Sequence, residues 1–171
     1  MGAGVTALTG RALLPVTLAV FLACSQTTAP KAPHSSPGSA CGSAPPLAGI
    51  YQPDRLQVID PCRHAVGLVV SVVPEGDGDY HLWIALDPAY TYLMNAENHF
   101  QGKPTMLAEI VPDCGVNAAP PDSSTADKCP PTKLTVPTAG RRIAIDGPWV
   151  LDTNHGWQEI HPVDTIVIVG S

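Results

Sequence analysis

Prolines and glycines interrupt this chain too often for long helices to form. The sequence holds 19 prolines and 15 glycines among 171 residues, about a fifth of the total. Proline breaks a helix, and glycine weakens one. The runs between them are short, apolar and rich in β-branched residues, with turn sequences at their ends. This frequent interruption by prolines, glycines and turn sequences predicts an all-β fold of short strands.

Five segments have the composition of β-strands. Residues 65–73 and 79–87 flank the turn sequence P-E-G-D-G and predict a hairpin. Every second residue from Tyr80 to Leu86 is apolar, so we expect this set, which includes Leu82 and Ile84, to face the core. The other strands are predicted at residues 105–111, 141–152 and 164–169, and residues 133–137 are a candidate for a short edge strand.

The order of these strands favours one small barrel. A meander of three strands, followed by two strands after a long connection, is the arrangement expected of the five-stranded OB-fold. Gly67 suits the sharp coil of its first strand. A lipocalin-like barrel needs more strands, and an immunoglobulin-like sandwich needs about seven. We therefore predict an OB-fold-like β-barrel domain over residues 56–171.

The N-terminal residues predict export. Residues 12–23 form an apolar run that suits a signal peptide and is too short to span a bilayer comfortably. The run ends F-L-A-C-S, which resembles the lipobox of bacterial lipoproteins, with Cys24 as the lipid-bearing residue. Residues 1–23 are then the signal peptide, and the Pro- and Ser-rich residues 24–55 a disordered tether that acyl chains such as palmitate anchor to a bacterial membrane. A plain secretory signal and an uncleaved anchor are the alternatives.

The cysteine count supports this interpretation. The chain has five cysteines, and an even number is left if Cys24 is lipidated. Four cysteines in an oxidising compartment allow three pairings. Local closure favours a disulfide between Cys114 and Cys129, which leaves Cys41 and Cys62 for the second one.

The charge of the chain excludes one class of partner. The formal net charge is −6, with 9 basic and 15 acidic residues. Nucleic-acid binding depends on Lys and Arg neutralising phosphates, so we do not expect it here. We expect a monomer that meets the membrane through its lipid and binds a small ligand or an envelope protein.

Two polar segments carry the candidate site. Residues two apart on an extended strand share a face. Asp79 and His81 after the hairpin turn are spaced in this way, and so are Glu159 and His161 before the last strand. Such a mixture of imidazoles and carboxylates suits zinc or another divalent transition metal, and an open coordination position could activate water. The alternative is structural, because E-G-D-G-D-Y also simply closes a turn. The six candidate ligands are Asp77, Asp79, His81, His155, Glu159 and His161, and Trp157 is the predicted anchor of a ligand-binding loop.

Three stretches carry a resemblance to a known family. Residues 62–87 contain E-G-D-G-D-Y-H-L, residues 105–111 are T-M-L-A-E-I-V, and residues 147–163 contain H-G-W-Q-E-I-H-P-V. These resemble a family of bacterial secreted and membrane-attached proteins of uncharacterised function, which often have an OB-like barrel. The resemblance implies the fold and the export, and it implies no activity.

Three functions are compatible with these features. In OB-folds the loops between strands one and two and between strands four and five flank the binding face. Residues 77–81 and 153–162 map to those loops, so we expect a binding module rather than an enzyme. The alternatives are a metal-dependent hydrolase acting on phosphoesters and a structural envelope protein.

Overall fold

The computed structural model describes residues 41–115 and 128–170, together with Met1, Gly2 and Gly4. The predicted signal peptide, Cys24 and most of the predicted tether lie outside the described residues. The chain divides into two compact units, Met1–Lys31 and Ala32–Ser171, and the second contains the whole sheet.

The described part of the chain is almost entirely β-structure. Two short 3₁₀ segments, Pro53–Arg55 and Pro88–Leu93, are its helical elements. No helix among the described residues is long and apolar enough to cross a membrane. The strands are β1 (Leu56–Pro74), β2 (Tyr80–Leu86), β3 (His99–Phe100), β4 (Lys103–Pro104), β5 (Met106–Ile110), β6 (Arg142–Asp152), β7 (Gln158–Ile160) and β8 (Thr165–Ile168).

Five strands close into a ring, which confirms the predicted small all-β barrel. The ring order is β1-β2-β5-β7-β6, and pairing of β6 with β1 closes it. All neighbours are antiparallel except β5 and β7, which are parallel. Gly67 pairs with both Leu86 and Ile143, and a Cβ there would lie 2.5 Å from the Ala85 carbonyl oxygen. Only glycine therefore fits where the first strand passes between its two partners.

The fifth strand of the ring is not the predicted one. Residues 164–169 were expected to fill this position, but β8 pairs only with β6, outside the ring. The ring instead contains β7, a strand of three residues. It ends at Ile160, two residues before Pro162, which cannot donate to a ladder. The predicted edge strand at 133–137 is also absent, although Leu134 and Val136 pack against the core.

The barrel interior is filled by aliphatic side chains from every strand of the ring. Leu82 and Ile84 are buried there as predicted, with the half-buried Tyr80 and Leu86 packed against the same cluster. A second, smaller cluster holds Ile50, Leu56 and Val150, with Leu47 against it. The packed domain therefore includes residues upstream of Leu56, in the part of the predicted tether that the structure describes.

Two disulfides staple the domain in the predicted pairing. Cys41 bonds to Cys62 with a Cα–Cα distance of 5.8 Å, and Cys114 bonds to Cys129 with a distance of 4.8 Å. Disulfides persist in oxidising compartments, so this covalent framework is consistent with an extracytoplasmic protein.

Candidate functional site

Charged side chains are buried on the outer face of the barrel. Leu82, Ala108 and Ile160 point into the barrel. Because side chains alternate along a strand, their neighbours in the sequence point outwards. Glu109 on β5 lies opposite His81 on β2, and Leu107 lies opposite Glu159 on β7. Glu109 is only 2% exposed and Glu159 is fully buried. Carboxylates are seldom buried without partners, so these two require hydrogen bonds or opposite charges nearby.

An aromatic group lies beside these carboxylates. Trp83 stacks on Phe100 with ring centroids 4.8 Å apart, and Trp157 meets Trp83 edge-on at 5.6 Å. The His155 ring stacks on Trp157 at 4.3 Å. Trp157 also donates a hydrogen bond from Nε1 to Glu159 Oε2 at 2.9 Å. Trp157 thus ties the 153–157 turn to the buried carboxylate, and its ring contacts protein on both sides.

His161 is held through one ring nitrogen only. Its Nδ1 lies 3.1 Å from Glu159 Oε1 and 3.0 Å from Glu109 Oε2. Ionised carboxylates only accept hydrogen bonds, so Nδ1 carries a proton. The ring is 1% exposed, yet Nε2 has no hydrogen-bond partner among the described residues. A buried imidazole with one nitrogen orphaned in this way has an unfilled coordination direction.

Asp79 completes a group of three potential ligands. One ligand atom each of Asp79, Glu109 and His161 lies within 4.8 Å of the other two. The turn positions Asp79, whose backbone N–H donates to Asp77 Oδ1 at 3.3 Å. The His81 ring lies alongside, with Nε2 3.2 Å from Glu109 Oε1 and Nδ1 3.4 Å from a Glu75 oxygen. We call Asp79, His81, Glu109, Glu159 and His161 the acid–histidine cluster.

The electrostatics of this cluster are strongly perturbed. Burial raises the pKa of Asp79 to about 7, and repulsion from Asp77 and Glu109 adds to the effect. Burial alone would lower the pKa of His161, but the Glu109 carboxylate and the hydrogen bond to Glu159 raise it to about 9. Burial likewise opposes ionisation of Glu109, but the charge of His161 and the hydrogen bond from His81 hold its pKa low.

Negative charge is in excess within this buried space. Three carboxyl groups, those of Asp79, Glu109 and Glu159, are at most 8% exposed, and His161 is the one equally buried cation. The nearby Arg55 guanidinium is already paired with Asp152 at 3.2 Å. Buried charge is costly unless it is compensated, and protonation of Asp79 is the compensation that the protein alone can offer. A divalent cation would compensate the same charge directly.

A second group of polar residues lies around Asp152, at the end of β6. This carboxylate is 1% exposed and both of its oxygens are engaged. One oxygen accepts from the backbone N–H groups of Asn154 and His155, and the other contacts the His155 ring at 2.9 Å and Arg55. We call Asp152, Asn154, His155 and Arg55 the Asp152 cluster. It closes the turn between β6 and β7, so its role is structural.

The structure places the predicted ligands in three different situations. Asp79 and His161 belong to the group of three, and His81 and Glu159 contact its members. Asp77 lies beside the group and supports the turn, whereas His155 belongs to the Asp152 cluster. Sequence reasoning missed Glu109, the one charged residue within the strand T-M-L-A-E-I-V. That lone acid in an otherwise apolar strand was the available signal.

Asp79 is the member of the group of three that lines a small cavity. This cavity is lined by Tyr51 and Asp77 as well as by Gly49 and the 111–114 segment. A larger groove is lined by Gly49, Val111, Pro112 and Cys114 too, so the two spaces adjoin. Asp79 therefore lies between the buried imidazole and the protein surface.

Comparison with known proteins finds no matching family model, no matching curated protein and no matching solved structure. The resemblance to secreted OB-like proteins stays a prediction.

Proposed function

We propose that this protein is an exported β-barrel binding module whose ligand is a divalent transition metal ion, held by Asp79, Glu109 and His161. The observation that carries the proposal is the convergence of these three side chains within 4.8 Å, around a buried imidazole whose Nε2 has no partner among the described residues. Two ligand atoms bound about 2.1 Å from one ion lie at most about 4.2 Å apart, so the three side chains must move closer together, and Glu109 must leave Nδ1 to reach an ion at Nε2.

The donor set favours zinc over calcium or magnesium. Imidazole nitrogen and carboxylate oxygen together suit zinc and its neighbours in the first transition row, whereas calcium and magnesium prefer oxygen alone. An ion of charge +2 also replaces the protons on Asp79 and His161, and it balances the two liganding carboxylates. The site therefore gains from the ion both a partner for Nε2 and charge neutrality.

The surroundings of His161 resemble those of a metal-binding histidine. Such residues usually donate their second ring N–H to a carboxylate, which fixes the tautomer and orients the ring. Here Glu159 takes that part at 3.1 Å, and Trp157 fixes Glu159 in turn at 2.9 Å. With Nδ1 held in this way, Nε2 is the nitrogen that remains for the ion.

Export and anchoring complete the proposal. The two disulfides support an extracytoplasmic location, and the lipobox-like sequence supports a lipid anchor on Cys24. The negative net charge argues against nucleic acid as a partner. We propose a monomer on a lipid tether that takes up its ligand outside the membrane.

Metal analysis of protein purified without an affinity tag tests this function. We expect one ion per chain after incubation with zinc or cobalt, and a higher melting temperature with the metal than without it. Asp79→Asn and His161→Gln should each abolish stoichiometric binding. The Asn side chain resembles the protonated form of Asp79, so that variant should fold even if His161→Gln does not.

The matched control is His99→Gln, because His99 is exposed and lies outside the cluster. This variant should bind metal like the wild type. Wild-type protein that is metal-free and unchanged in melting temperature by zinc, cobalt and manganese would refute the proposal, and it would favour a purely structural role for the cluster.

A further inference from the structure

The candidate metal site is enclosed unequally on its two sides. On the His161 side, Nδ1 donates to Glu159 Oε1, Glu109 Oε2 lies 3.0 Å away without a hydrogen bond, and the ring is 1% exposed. On the other side, Asp79 is 8% exposed and lines the small cavity together with Tyr51 and Asp77. An ion bound here would be enclosed by protein on the His161 side and would face the small cavity on the Asp79 side.

The described residues supply three ligands and no fourth. Both oxygens of Glu159 accept hydrogen bonds, one from Trp157 and the other from His161, whereas Glu109 Oε2 accepts none. His81 is already placed between Glu75 and Glu109. Zinc sites with three protein ligands keep the fourth position for water or a ligand, whereas structural zinc sites have four protein ligands.

The larger groove that adjoins the small cavity has room for a ligand, and its charged side chains leave it negative. Asp113, Lys133 and Asp164 line it, and Lys133 is already paired with Asp113. Asp164 accepts a hydrogen bond from the Gly42 N–H at 3.3 Å but has no cation paired with it among the described residues. The ion itself would already be neutralised by the Asp79 and Glu109 carboxylates, with Glu159 close by. Both parts of the site thus disfavour an anion.

From this enclosure and charge we propose that the bound metal keeps one exchangeable coordination position on the Asp79 side, and that a neutral nitrogen or oxygen donor entering from the groove replaces the water there. This inference rests on the proposed metal-binding function. It makes the protein a receptor for a neutral donor ligand, such as an imidazole or carbonyl group, rather than for a phosphate or carboxylate.

Cobalt absorption spectroscopy tests the open position, because the visible bands of bound Co²⁺ change when a ligand exchanges. The full chain loaded with Co²⁺ is titrated with imidazole as the neutral probe and with azide as the anionic probe, at constant ionic strength. We expect a saturable spectral change with imidazole at concentrations at which azide gives little change. No change with either probe would overturn the open position, and tighter binding of azide would overturn the preference for neutral donors.

A charge variant sharpens the test. Asp77→Asn removes a negative charge from the cavity wall while keeping an oxygen for the Asp79 N–H. Azide should then bind several-fold more tightly, and imidazole binding should be unchanged. Asp54→Asn is the matched control, since Asp54 is exposed and lies outside the cavity wall. An equal gain of azide binding in both variants, or none in Asp77→Asn, would contradict the charge argument.

The outcomes separate this inference from the proposed function. If Co²⁺ itself gives no visible bands and no stoichiometric binding, the metal-binding function fails. If Co²⁺ binds but neither probe alters its spectrum, only the open position fails.

Discussion

The acid–histidine cluster and the Asp152 cluster use the same residue types in opposite ways. Asp152 is buried, and each of its oxygens has protein partners, including His155 and Arg55. In the acid–histidine cluster three buried carboxyl groups share one buried imidazole, and His161 Nε2 has no partner within the described ranges. The paired Asp152 carboxylate stabilises a turn, and the orphaned atom beside it, Arg55 Nε, is a donor only and cannot bind a metal ion. An orphaned imidazole nitrogen can bind one, and together with excess negative charge it has the properties of a ligand site.

Among the changes considered, Asp152→Ala should lower the free energy of unfolding most, because it removes the residue on which the Asp152 cluster depends. It leaves Arg55 without its buried partner and removes the acceptor for the turn amides of Asn154 and His155. Removing one member of a buried ion pair costs about 3–5 kcal/mol, and we expect a loss of that size in the free energy of unfolding. Urea denaturation followed by tryptophan fluorescence measures it.

Asp60→Ala is the control for this change. Asp60 accepts one backbone N–H, that of Cys62, and its ion pair with Arg63 is more exposed, at 28% and 21%, so its loss should cost less. Equal losses of stability in the two variants would show that the buried partners of Asp152 do not stabilise the turn more than a partly exposed ion pair does.

The pH dependence of metal binding separates the two clusters next. In the metal-free protein His161 keeps its proton up to about pH 9 and Asp79 up to about pH 7. The ion must displace these protons, so its affinity should rise by about tenfold per pH unit between pH 7 and 9. Competition with a chelator of known pH dependence measures this. A flat affinity over this range would mean that His161 is not a ligand.

The stability of the metal-free protein should change in the opposite direction. Both folded-state pKa values lie above their ordinary values of 6.5 and 3.8. A raised pKa stabilises the fold at low pH, and that contribution is lost as pH rises through the folded-state value. We therefore expect the melting temperature of the metal-free protein to fall between pH 7 and 9 as His161 loses its proton. The contribution of Asp79 is lost lower, between about pH 4 and 7, and Asp79→Asn should remove that part of the pH dependence. A metal-free protein that gains stability between pH 7 and 9 would contradict the raised pKa of His161.

The sequence predicted the two segments of the site better than the site itself. The alternation of apolar residues along 80–86 and the position of Gly67 can be read from neighbouring residues alone, so the first hairpin and the all-β barrel could be predicted. The placement of β7 could not, because a strand of three residues has no pattern of its own and its position depends on pairing with β5 and β6. Glu109 joins the site through that same pairing, which no spacing along the chain encodes.

The Glu159→Gln substitution tests whether the acid–histidine cluster depends on its supporting carboxylate. The single amide oxygen can still accept from His161, but the amide NH₂ then faces the Trp157 Nε1–H, so that hydrogen bond is lost together with the negative charge that makes the imidazole a stronger ligand. Loss of such a supporting group typically costs 10–100-fold in metal affinity, and we expect a weakening of about that size with the fold retained. Glu97→Gln, at an exposed position, should leave the affinity unchanged.

The Trp157→Phe substitution should give the smallest effect, and it tests how far the aromatic group contributes. Phe keeps an aromatic ring between His155 and Trp83 but loses the donor to Glu159 Oε2. A net hydrogen bond contributes about 1 kcal/mol, and one to a charged group about 1.5–3 kcal/mol. We expect a loss of about 1–2 kcal/mol in the free energy of unfolding, with a weaker metal affinity by less than that of Glu159→Gln. If Trp157→Phe weakened metal binding more than Glu159→Gln, the ring itself would be part of the ligand site, and the separation of the two clusters would fail, because Trp157 is the residue that contacts both.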